Sequence, residues 1–152
     1  MTEKILTMSP GSETGLATPR RILSFAAVVE VGTGLVLMID PVVVVTFLLG
    51  AEVSGAGILL GRCFGIALLA LGVACWPTGQ GAERRSPAFR AMLIYNALIA
   101  LYLAYLGTLG HLRGLLLWPA SALHAVVALL LLRMWGMPAT DQSDEQASVA
   151  RC

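Results

Sequence analysis

The stretch ILSFAAVVEVGTGLVLMI, residues 22–39, is an unbroken apolar run with a single carboxylate, Glu30, near its middle. Its length decides the fold. At about 1.5 Å of rise per residue, a helix of this length covers about 27 Å, close to the hydrocarbon thickness of a bilayer. Three more runs of the same character follow, at about 57–76, 91–109 and 115–135. A fully buried helix of a soluble protein can be equally apolar, but four in succession within 152 residues leave nothing polar to cover them. Lipid must form the outer layer. The chain therefore reads as all-α, an integral membrane four-helix bundle.

Composition points the same way. The chain is 57% hydrophobic and 12% charged, with mean hydropathy +0.81, whereas a soluble domain carries about 25% charged residues. A net charge of +1 gives no field for nucleic acid. Residues 1–19 mix Ser, Thr, Gly, Pro and charges without a period and read as a flexible N-terminal tail. Residues 20–136 form the four-span domain, and 137–152 a polar C-terminal tail. The first apolar run ends in LMIDP instead of a small-residue cleavage site, so it is an uncleaved span.

Lys4, Arg20, Arg21, Arg84, Arg85, Arg90, Arg133 and Arg151 fall on one side of these spans, and only Arg113 lies in a loop on the other. The positive-inside rule then puts both termini in the cytoplasm, in a multi-pass protein of the inner membrane. Trp76 and Trp135 at the inner interface and Trp118 near the outer one are placed as aromatic anchors. Between spans one and two, DPVVVVTFLLGAE (40–52) is too short to cross. Asp40 as N-cap, Pro41 as first helical residue and Gly50 as stop predict an interfacial half-helix. An unpaired VVVV strand would leave its backbone groups unsatisfied in lipid.

Each span carries one residue that is costly in hydrocarbon: Glu30, Arg62, Asn96 and His124. Counting depth from the segment ends brings Glu30, Asn96 and His124 near mid-membrane, with Arg62 a guanidinium's reach away. Ser121 lies one turn from His124, and Tyr95 adjoins Asn96. An isolated charge there costs at least about 2.5 kcal/mol, so Glu30 and Arg62 are expected to pair. The resulting cluster is either structural glue or a ligand or proton site; the remaining alternative is that Arg62 snorkels outward and Glu30 stays protonated and unpartnered. Gly57, Gly61 and Gly65 are spaced by four, with Gly72 on the same face. Such a stripe seats another helix closely, either the first span through Gly32 and Gly34 or a second subunit. Pro119 inside the fourth run is expected to kink it near Leu115 to Trp118.

Several chemistries are disfavoured. Two histidines, His111 and His124, at different depths make neither a zinc nor a haem site, so no metal is expected. There is no nucleotide loop and no GxSxG. Cys63, Cys75 and Cys152 lack metal spacing and read as small packing residues, with a Cys75–Cys152 redox pair as the other possibility.

Arg21 before the first span, Pro41 after it, and GRCFGIALLALG (61–72) with Gly61, Arg62, Gly65 and Gly72 resemble the pattern of DoxX-like small four-helix membrane proteins. That resemblance, over about residues 20–135, implies a subunit near membrane quinone chemistry and assigns no catalytic residue. Three functions follow as expectations. The first is a non-catalytic subunit or oligomeric module, with the bilayer and a homo-oligomer or larger membrane complex as partners. The second is a quinone- or lipid-binding oxidoreductase subunit, and the third a proton-coupled transporter using Glu30. No cofactor is required by the first.

Overall fold

The computed structural model describes residues 13–77 and 86–136, with side chains from Pro19 onward. Five helices follow in order: α1 Glu13–Ile39, α2 Pro41–Leu49, α3 Ala56–Ala74, α4 Pro87–Thr108 and α5 Leu117–Trp135. Four of them, all but α2, are long and apolar enough to cross a membrane; the described residues are all-helical, and the chain is a multi-pass membrane protein. The helix α1 begins at Glu13, inside the stretch expected to be a tail, and Pro19 opens its membrane-spanning part. Residues 1–12, the 78–85 part of the inner loop and the tail from 137 lie outside the described residues.

The half-helix forms as its sequence dictates. Asp40 accepts hydrogen bonds from the Val42 and Val43 amides at 3.1 and 3.3 Å, capping α2. Pro41 takes the first position, where its missing N–H costs nothing. At the other end, Gly50 adopts φ 67°, a left-handed conformation that closes the helix with a bond from its N–H to the Thr46 carbonyl.

Packing is uneven, and the unevenness positions the site. The antiparallel helices α1 and α3 pack closely along their length, and so do α4 and α5. Contacts between these two pairs are fewer and come mainly from α1 against α5 and α4, while α3 packs on α1 and α2. Thus α1 lies between α3 on one side and the α4/α5 hairpin on the other. Glycines explain the first contact. A Cβ on Gly65 would meet the Gly34 carbonyl oxygen at 2.7 Å, and one on Gly72 would meet the Ala27 oxygen at 2.9 Å. Gly61 faces Pro41, Gly57 faces only Val53 of its own chain turn, and Gly32 faces open space. The stripe therefore seats α1, through Gly34 and not Gly32.

One end of the bundle, the base, holds the start of α1, the end of α3, the start of α4 and the end of α5. Leu23, Ala26, Ala27, Cys75, Phe89, Met92, Val127, Leu131 and Met134 form its apolar core. The opposite end, the head, is closed by α2: the Leu116 amide donates to the Phe47 carbonyl at 2.8 Å, and Gly114 packs on the Leu48 backbone. That bond holds Leu115 and Leu116 in the loop, so α5 starts at Leu117. Pro119 then sits in the first turn, where its lost donor has no intrahelical partner to miss. The expected kink at Leu115 to Trp118 is corrected to a helix start.

The glycine contact gives a direct test. Gly65→Ala should destabilise the protein by about 1–3 kcal/mol through overpacking against backbone. Gly32→Ala should be neutral or stabilising, because an exposed helical Gly costs up to about 1 kcal/mol relative to Ala. Denaturant unfolding in mild detergent measures both. Equal effects at the two positions would contradict the packing described.

Candidate functional site

The polar residues lie directly above the basal core. Glu30 is one turn beyond Ala26 and Ala27, Asn96 one turn beyond Met92, and His124 one turn toward the head from Val127. Helical periodicity puts each on the same face as the core residue beneath it. The layer therefore occupies the seam between α1 and the α4/α5 hairpin. Glu30 and Asn96 are each 1% exposed.

The hydrogen bonds fix the chemistry of this layer. The Asn96 Nδ2 donates to the Met92 carbonyl at 2.9 Å. A backbone carbonyl only accepts, so the amide orientation is settled and Oδ1 points away from it. That oxygen lies 2.8 Å from His124 Nδ1. Because Oδ1 can only accept, Nδ1 must carry the proton, and in a neutral ring Nε2 keeps its lone pair. The Tyr95 ring meets the His124 ring edge-on, at 6.0 Å between centroids and 82° between planes. One turn nearer the head, the Ser121 hydroxyl donates to the Ala100 carbonyl at 3.1 Å, tying α5 to α4.

Glu30 is the exception to this order. Its Oε1 lies 3.9 Å from His124 Nδ1, too far for a hydrogen bond to a proton already directed at Asn96. The Tyr95 hydroxyl also interacts with the carboxyl. Even so, Oε1 is the one buried side-chain oxygen or nitrogen among the described residues without a hydrogen-bond partner. A buried polar atom left unpaired costs about 1–3 kcal/mol, more for a charged group.

Arg62 is not part of this layer, and the expected Glu30–Arg62 pair is corrected. The guanidinium belongs to an exposed residue of α3, and no ion pair joins it to Glu30. The reason is architectural. Only Gly65, Leu68 and Gly72 of α3 are buried, all on the α1 side, so α3 has no face at the seam. Arg62 stands six residues into α3, about 9 Å from its head end. Helical side chains lean toward the helix N-terminus, so Arg62 reaches back toward the head. Of the other expected residues, Glu30, Tyr95, Asn96 and His124 come together and Ser121 adjoins them. Tyr102 stacks on Tyr105, 6.5 Å between ring centroids, on an exposed face. Cys75 packs in the core with its Sγ 3.5 Å from the Ala88 carbonyl, whereas Cys63 is exposed.

The described residues contain no group of three or more His, Cys, Asp or Glu able to hold a metal ion. The Met92 carbonyl, which orients Asn96 and through it His124, is a backbone group that no sequence motif announces. Comparison of the chain with protein-family models, curated proteins and solved structures gives no match. What fold and site define is thus a class: a small multi-pass helical membrane protein with a buried carboxyl–imidazole–amide layer.

Two substitutions separate the observed partners from the expected one. Arg62→Met should change unfolding stability in detergent by no more than about 0.5 kcal/mol, as for an exposed position. Asn96→Leu removes the acceptor of the His124 Nδ1–H and should cost about 1–3 kcal/mol. A loss of about 3–5 kcal/mol from Arg62→Met, the signature of a broken buried ion pair, would restore the Arg62 pairing.

Proposed function

We propose that this protein is a non-catalytic membrane module that binds a small amphiphilic molecule between α1 and the α4/α5 hairpin, at Glu30, Tyr95, Asn96 and His124. The observation that carries the reading is the unpaired Glu30 Oε1. A polar layer that served only to glue helices would be expected to satisfy all of its members, since each unpaired buried group weakens the assembly. Asn96 Oδ1, His124 Nδ1 and the Ser121 hydroxyl are paired; Glu30 is half satisfied and faces the thinner of the two α1 interfaces. Intramembrane ionisable residues of this kind mark functional sites by default.

The exposed face of α3 favours a second, compatible reading, that of a subunit in a homo-oligomer or larger membrane complex. This is the least covered of the four spans, and Leu59, Leu60, Phe64 and Ile66 surround Arg62 on it. A quinone or other lipid remains within the ligand class, and a proton-coupled transporter would use the same carboxyl. The orientation we propose, in the inner membrane with both termini cytoplasmic, is supported by the Lys and Arg skew. In that orientation the base faces the cytoplasm, and the exposed Val42, Val43 and Phe47 of α2 rest in the outer interface.

The test is native mass spectrometry of the chain purified in mild detergent. An amphiphile should be retained by the wild type and by Arg62→Met, and lost from Glu30→Gln that remains folded. Retention by Glu30→Gln would sink the reading. Labelling of Cys152 from outside intact cells would reverse the orientation.

A further inference from the structure

The hydrogen-bond directions in the seam say more about the ligand than its size class; this deepens the binding-site reading and rests on it. We infer that the site takes a lipophilic amine in its ammonium form, and that this ammonium and a proton compete for the Glu30 carboxyl.

The polarity of the site comes first. Asn96 Oδ1 and His124 Nδ1 satisfy each other, so neither is offered to a ligand. What remains is Glu30 Oε1, and the Nε2 lone pair of a neutral His124, which no hydrogen bond occupies. Both are acceptors when Glu30 is ionised. A ligand that fills them must bring N–H or O–H donors.

Charge selects between donors. Glu30 is the only acidic residue within the four spans, and among the described residues no lysine or arginine pairs with it. An uncompensated carboxylate in a low-dielectric medium is strongly disfavoured, so it either takes a proton or acquires a cation. An ammonium supplies both the charge and the donors. The Tyr95 ring beside His124 adds a π face, and aromatic faces attract ammonium groups within about 6 Å. The other titratable groups that face Glu30 are Tyr95 from α4, His124 from α5 and, within electrostatic range, Cys75 at the foot of α3. None of these is a permanent cation.

The exchange balances. An ammonium RNH3+ and the neutral Glu30 acid give the carboxylate–ammonium pair and one released proton. An apolar tail on R can lie along the seam, which must part to admit it because Glu30 is 1% exposed. Few contacts hold that seam, so it is the interface of the bundle that opens most cheaply.

The full chain in nanodiscs, titrated calorimetrically with decylammonium, tests this. Binding should be at least tenfold tighter than that of 1-decanol or decyltrimethylammonium, should tighten as pH rises and protons cease to compete, and should vanish in Glu30→Gln. Should Glu30→Gln fail to fold, a hydrophobic carbodiimide supplies a wild-type readout, because it modifies only the protonated acid. Decylammonium should then protect Glu30 from modification, as read by peptide mass spectrometry. Equal binding of decanol or of the trimethylammonium would overturn the ammonium inference. So would Glu30-dependent binding of 2-decanone alone, although that result would leave the binding-site reading intact. Loss of Glu30 dependence for every probe would overturn both.

Discussion

The close approach of α1 to α3 at Gly34, Gly65 and Gly72 is the contact on which the rest of the molecule depends. Within a membrane, apolar surface alone gives helices little reason to associate, so van der Waals fit between backbones must supply it. Here a single methyl group at Gly65 would collide with the Gly34 carbonyl. That contact fixes the rotation of α1 about its own axis. Gly34 and Val31 seat on Gly65 and Gly72 of α3, while Glu30, one turn beyond Ala26 and Ala27 of the basal core, turns to His124 of α5. Rotated by half a turn, the same carboxyl would face lipid.

A second constraint acts on the other side of the seam. The helices α4 and α5 are joined by Asn96–His124 and Ser121–Ala100 bonds as well as by Phe89 against Trp135 at the base, 6.2 Å between ring centroids. The hairpin thus arrives with Asn96 Oδ1, His124 Nδ1 and the Ser121 hydroxyl already paired. Beyond the Tyr95 hydroxyl, it leaves no donor on Glu30 Oε1. An unpaired acceptor is the consequence of two internally satisfied units meeting, and it is also what makes the seam receptive to something else.

Much of this architecture was legible in the sequence, for physical reasons. Four spans follow from hydropathy and length, and α2 from Asp40, Pro41 and Gly50, each of which acts locally. Gly61, Gly65 and Gly72 announced a close helix contact because nothing but a small residue permits one. The failures share a cause: they depend on contacts between distant parts of the chain. Leu115 and Leu116 are as apolar as any helical residue, yet the Leu116 amide bonds to Phe47 of α2 and α5 starts at Leu117. Counting residues gave the height of Arg62 correctly enough to suggest Glu30 as its partner, but height says nothing about azimuth. Because α3 touches α1 with one narrow stripe, Arg62 points elsewhere. His124 and Asn96 share a layer with Glu30 at the heights their positions in the spans imply, yet the Met92 carbonyl that orders them is invisible to residue-type reasoning.

The Glu30 carboxyl faces the His124 imidazole and not the Arg62 guanidinium. Dipolar recoupling by solid-state NMR in bilayers measures this without any substitution, using a carbon-13 label at the glutamate carboxyl and nitrogen-15 on histidine or on arginine. The Glu30 carboxyl signal should be dephased by the His124 Nδ1 nitrogen and left unaffected by the arginine label. Dephasing by the guanidinium of Arg62, with none from His124, would contradict the structure of the site and everything built on it.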